Sequence, residues 1–336
     1  MLVSSSGTDA ASRAALRALM QRLSGVTAME GAVSAEPLTT SDPPVLRSAQ
    51  IVEGAALRAV RVPGVSRDMT TGFGAFLDGA QKVQAIAHCG GMPVVLGTVS
   101  AAVRVRVNRR LVTWGHQPPR VERKLYLPLR YLPRLAEMPN ADRDAANSEY
   151  EMVDTTTADK SGEYPSQHPA VLLDRAIQAV QQEREQLEHR FAESWCMAGE
   201  APIFIDGGIS GSARVATSSW AVGVIKTHRT LYVEGGALGI VLGLAKGERS
   251  SVFRVSPRSR HSVMSWYLRL RDPKGRDALW GLVRVEVAEC ERASERADEI
   301  SRWVMAETTP LSLPDGRWDK MAYGVRDCEE FLRAIS

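Results

Sequence analysis

Four cysteines in 336 residues, Cys89, Cys196, Cys290 and Cys328, lie far apart, and none forms a C-x-x-C pair or stands beside a histidine at zinc-ligand spacing. A disulfide framework and a structural zinc are therefore excluded as organising features. No apolar run approaches the roughly 18 to 20 residues that a membrane-spanning helix needs. The opening MLVSSSGTDAASRAAL lacks the basic-then-apolar layout of a signal peptide. The expectation is a cytoplasmic protein with no membrane partner. The glycine-rich stretch 235–247 contains neither G-K-[S/T] nor G-x-G-x-x-G, which argues against ATP hydrolysis by this chain. Gly208-Ile-Ser-Gly-Ser212 fails the G-x-S-x-G pattern of a serine hydrolase. Net charge is also small, 42 Lys and Arg against 39 Asp and Glu, too little to mark a nucleic-acid binder by its sum.

What is present is a hydrophobic content of 44%, enough for a substantial core, and a segregated charge distribution. Basic residues gather between Val103 and Arg134, including Arg104 and Arg106, and again from Arg254 to Arg276, including Arg258 and Arg260. Acids gather in 142–163 and 286–299. Such segregation suggests a basic face that follows a phosphate backbone, against the alternative of ordinary solvated strand faces.

Apolar periodicity predicts a helix over 9–23 and a loop to about Pro44, together an N-terminal arm (1–45) attached to one domain (46–336). Strands are expected at 73–77, 93–99, 103–107, 201–205, 220–225, 251–255, 263–270 and 279–287. The longest helix begins near Pro169 and carries the stripe Leu173, Ile177, Val180, Leu187, Phe191 and Trp195. A glycine-rich helix is expected over 236–246, and two more near 291–305 and 320–334. Residues 138–168 are polar and aperiodic, the mark of a flexible acidic insertion. Strands mixed with helices in this order imply a mixed α/β fold, a mixed sheet flanked by helices.

Two apolar strands run into Asp-Gly, at 76–79 (FLDG) and 204–207 (FIDG). An aspartate at the end of a buried strand is costly unless a cation or donors compensate it, and a divalent metal does so. Oxygen-only ligands select Mg²⁺ or Mn²⁺, and two such ions about 4 Å apart cleave phosphodiesters. The alternative is that each Asp-Gly makes a turn. Glu188, one step off the apolar stripe, is the expected third carboxylate, with Glu185 and Glu183 behind it. Asp327, Glu329 and Glu330 on the last helix offer a fourth. Lys226, His228 and Arg229 follow a strand and, with Arg258, Arg260, Arg104 and Arg106, are candidate DNA contacts. Trp114, within the basic segment, is a candidate for base stacking.

The succession FLDG, an acidic helix, FIDGGISGSARVATSSWAVGVIKTHR, HSVMSWYLRLR and GLVRVEV resembles the NurA family of DNA-end-processing nucleases over about residues 70 to 335. The resemblance implies an RNase H-like core, a two-metal Mn²⁺ or Mg²⁺ site on Asp78 and Asp206, a homodimer, and a HerA-type hexameric ATPase as partner in DNA repair or antiviral defence. Ala80 and Gly208 stand where that family often has serine, and the final helix lacks the histidine it commonly supplies. Two other readings share the core: a catalytically inactive RNase H-like subunit that binds DNA or regulates a motor, and a PIWI-like guide-binding module.

Overall fold

The alternating Val103, Val105 and Val107 belong to one long strand that begins at Met92, so the two strands expected at 93–99 and 103–107 are continuous. The structure, a computed structural model, describes residues 26–34, 44–66, 69–132, 150–158, 161–256, 260–308 and 320–336. Its first half contains β1 (Val26–Ser34), β2 (Val45–Leu46), β3 (Gln50–Ile51), β4 (Ala59–Arg61), β5 (Ala75–Cys89), β6 (Met92–Val107), β7 (Arg110–Thr113), β8 (Arg120–Leu127) and β9 (Glu151–Asp154). Then follow α1 (Pro169–Ala198), β10 (Ile203–Asp206), α2 (Ala213–Ala216), β11 (Ala221–Ile225), β12 (Thr230–Leu231) and α3 (Gly236–Leu242). The chain closes with β13 (Glu248–Ser250), β14 (Phe253–Val255), β15 (Val263–Arg269), β16 (Leu282–Val287), α4 (Ala293–Glu307) and α5 (Tyr323–Ile335).

The fold is mixed α/β, as expected. Fourteen strands make one mixed sheet, with the path β3-β14-β15-β16-β11-β10-β5-β6-β8-β9. β5, β6 and β8 are antiparallel neighbours, whereas β10 pairs parallel with β5 on its other side and β11 parallel with β10. β11 then meets β16 antiparallel. The crossover from β8 to β10 carries α1, which packs across β5 and β6.

The period-two alternation of the central strands sorts their side chains between two helical layers. Ala75, Leu77, Ile203 and Ile205 share a core with Ile177, Val180, Leu187, Phe191 and Trp195 of α1. Phe76, Phe204, Val222 and Val224 face the other way, against Ile300 and Val304 of α4 and Val325 and Cys328 of α5. Covered on both faces, these strands read in the sequence as unbroken apolar runs rather than as alternation.

Several expectations are corrected. β5 does not end at Asp78: Asp78 and Gly79 pair with Ala102 and Ala101 in mid-strand, so the Asp-Gly turn reading fails there. The helix expected over 9–23 lies outside the described residues, but 26–34, expected as loop, is a strand on β5. Within the acidic stretch, Glu151–Asp154 forms β9, parallel to β8, with Tyr150 buried beside it. Residues 138–149 and 159–160 of that region lie outside the described residues. Among the described residues, no helix is long and apolar enough to cross a membrane.

Candidate active site

The parallel register between β5 and β10 brings the two FxDG motifs side by side. Ala75, Phe76 and Leu77 pair with Ile203, Phe204 and Ile205, so Asp78 and Asp206 are the next residues along adjacent strands. Neighbouring strands lie about 4.8 Å apart. Both aspartates follow the phenylalanines onto the same sheet face and line one cleft of about 940 Å³ where β10 ends, in the middle of the sheet. β10 stops at Asp206 because Gly207 turns away with φ +143°, a backbone conformation that disfavours any side chain.

Glu188 comes from the other layer. A Cβ at position 79 would collide with the Glu188 carboxylate, so the glycine of the first FxDG motif is what admits this acid to the strand bearing Asp78. Among the described residues Asp78 is 7% exposed, accepts a hydrogen bond from Gly79 N at 2.9 Å and forms no ion pair. Burial first, then the Asp206 carboxylate, pushes the Asp78 carboxyl well above its ordinary range; Lys226 opposes this, while Glu188 and Glu329 add to it. Burial likewise raises Glu188 to about 7, against Arg184 and with Asp206.

Two of the three acids hold basic side chains. Lys226 Nζ lies 2.8 Å from Asp206 Oδ2, and Arg184 is hydrogen bonded to Glu188 Oε1. Among the described residues no group of three or more acids, histidines or cysteines is placed so that, as the side chains stand, it could hold a metal ion. Asp78, Asp206 and Glu188 nevertheless line one cleft and offer the oxygen donors a hard divalent cation takes, and Asp78 is buried with no ion-pair partner among the described residues.

The other expected site residues divide. Asp327 pairs with Arg104 at 2.6 Å on the flank of the sheet, and Glu329, two residues on and on the other side of the helix, lines the cleft in its place. Arg104 also donates to Thr113 and to Leu111 O, and Arg106 is held by Glu307 and Phe73 O, so both are structural rather than a free DNA-binding face. His228 is largely buried, its Nε2 2.7 Å from Leu282 O, and burial lowers it to about 4, so it is neutral and turned inward. Lys226 and Arg260 line the cleft, Arg229 does not, and Arg258 lies outside the described residues. Trp114 is 4% exposed and packs edge-on against Trp195 at 5.0 Å, which removes it as a stacking platform.

Sequence reasoning missed Arg284 and Glu286 as cleft residues. They occur as alternate positions of the strand LVRVEV, where a charged residue at every second place in an otherwise apolar run was the available signal. No family model matches the chain, and no curated protein matches it.

Proposed function

We propose that this chain is a divalent-metal-dependent DNA nuclease with an RNase H-like core. The observation that carries the reading is the adjacent placement of Asp78 and Asp206 on parallel strands, with Glu188 admitted from α1 by Gly79. The strand arrangement supports the same reading: three antiparallel strands, a covering helix, then two strands parallel to the first. Asp78, Asp206 and Glu188 would hold Mn²⁺ or Mg²⁺, with Glu329 close by on α5. Such ions, when bound, supply activation of water and stabilisation of the leaving oxygen in phosphodiester hydrolysis.

The chain's own residues account for the rest. Lys226, beside Asp206, is placed to exchange that carboxylate for a substrate phosphate oxygen when the acid takes up a metal. Arg184 orients Glu188 and ties it to Gln81 of β5 through its Nε at 3.0 Å. The homodimer and the HerA-type ATPase follow from the NurA resemblance and form part of the proposal: the chain would trim DNA fed to it by a separate motor, in end processing or defence.

The Lys226–Asp206 and Arg184–Glu188 pairs favour a second reading, a catalytically inactive DNA-binding or motor-regulating subunit whose acids are permanently neutralised. Cleavage of linear DNA with Mn²⁺, alone and with a HerA-type translocase, separates the two. The nuclease reading expects activity that falls at least about a hundredfold in Asp78→Asn and in Asp206→Asn, the scale on which loss of one electrostatic stabiliser acts. DNA binding without cleavage supports the second reading, and cleavage that survives both substitutions removes the site assignment.

A further inference from the structure

The cleft has a second charged region, on the far side of β11 from the acids. Arg284 on β16 is two strands from Asp206, roughly 10 Å at ordinary strand spacing. It is 8% exposed, lies over the Tyr232 ring at 4.7 Å and lines the cleft. Its Nη1 approaches Glu286 Oε1 at 3.0 Å, an ion-pair contact too bent to be a hydrogen bond, so both Nε and Nη1 are buried without a hydrogen-bond partner. Glu286 is itself shared, since its Oε2 accepts from Ile209 N at 2.9 Å. A guanidinium has five donors, and leaving buried ones unmet is costly.

Elsewhere the same fold gives all three nitrogens of a buried arginine hydrogen-bond partners. Arg269 donates to the carbonyls of Leu244, Trp280, Leu242 and Ala278. Arg284 differs: it lines the cleft, stacks on Tyr232, and has a single acid, Glu286, at ion-pair distance among the described residues. Two exposed arginines line the same cleft. Arg47 follows β2 and is anchored through its own N to Leu231 O at 2.8 Å. Arg260 precedes His261, whose N donates to Ser210 O at 2.8 Å. Among the described residues neither guanidinium has an acid at ion-pair distance.

We propose that Arg284, Arg260 and Arg47 form a phosphodiester-binding subsite for one DNA strand, next to the phosphate that would be cut at the acids; this rests on the nuclease reading. Planar guanidinium forks match phosphate oxygens in pairs. Three of them along one wall suit a repeating anion better than a single small acid. A cleft of about 940 Å³ is of nucleotide scale, which fits one strand. Tyr232 and Glu286 keep the Arg284 plane in place before the strand arrives.

The test is fluorescence anisotropy of a labelled single-stranded DNA oligonucleotide with the full chain in EDTA, over a salt series. Arg284→Gln should weaken binding about tenfold or more, the scale of a lost charge-assisted contact. Arg47→Gln and Arg260→Gln should each lower the slope of log affinity against log salt by about 0.7, one phosphate contact apiece. Thermal melting accompanies each variant. If Arg284→Gln does not fold, the two exposed positions decide the matter. Wild-type affinity and slope in all folded variants, or no binding by the wild type, overturns the subsite. Binding with these losses but no metal-dependent cleavage leaves the subsite standing and sinks the nuclease reading. Cleavage with unchanged binding does the reverse.

Discussion

Two regions of this molecule bury carboxylates, and they treat them in opposite ways. Beside β13, Arg249 is 1% exposed and fully engaged: Nη1 and Nη2 grip Glu53 at 2.6 and 3.1 Å, and Nε meets Asp298 at 2.6 Å. Burial pushes Glu53 up, but hydrogen bonds from Arg249 and Val252 outweigh it and hold the acid below its ordinary value. At the cleft, Asp78 and Glu188 are both driven up, because burial and neighbouring acids exceed what Lys226 and Arg184 return. The first region is a closed joint between the residue-53 loop, β13 and α4. The second keeps charge unmatched at the mouth of a cavity, where a cation from outside would be the missing partner.

Breaking the closed joint should produce the largest change. Arg249→Met leaves Glu53 and Asp298 without their partner and should cost about 3 to 5 kcal/mol of stability in urea unfolding, the usual penalty for half of a buried pair. A loss below about 1 kcal/mol would place this pair with surface salt bridges and dissolve the contrast. Asp78→Asn should act with the opposite sign. It removes a buried carboxyl whose charged form its neighbours disfavour, and its amide can donate to the adjacent carboxylates, so the metal-free chain should gain stability. Destabilisation by this variant would mean that the acid is already compensated.

The sequence displays these two regions unequally. The FxDG motifs are legible because each joins a buried apolar run to an acid, and so was Glu188, from its place beside the apolar stripe of α1. Their meeting was expected as part of one metal site, but the parallel pairing that produces it, between residues more than a hundred positions apart, leaves no local signal. The role assigned to the glycines was half right. Gly207 ends its strand, whereas Gly79 lies within one and serves the approach of Glu188. Charge runs misled most: Arg104 and Arg106 alternate outward from valines as a solvated face would, but α5 and the end of α4 cover that face and pair them with Asp327 and Glu307. Local alternation reveals which side a residue takes, not what later packs there.

The finest difference between the two regions is in pH dependence. Glu188 has a folded value of about 7 against an ordinary 4.5, so between these limits the folded chain binds more protons than the unfolded one. Its contribution to stability is therefore fully present below about 4.5 and is lost as pH rises through 7. Asp78 acts in the same direction. Glu53, held low, does the reverse: its contribution is present above 4.5 and lost only as pH falls through its folded value, outside this window. His228, lowered to about 4, adds a slope of opposite sign to that of Glu188 between 4 and 6.5, so the total curve conceals the effect. The difference between wild type and Glu188→Gln cancels the histidine. That difference, measured by urea unfolding in EDTA, should favour the wild type progressively less as pH rises from 4.5 to 7, while Glu53→Gln shows no such trend in this interval. Saturating Mn²⁺ should abolish the trend, because a bound cation keeps the carboxylate ionised throughout. A flat difference in EDTA would show that Arg184 neutralises Glu188 as completely as Arg249 neutralises Glu53, and the two regions would then be alike.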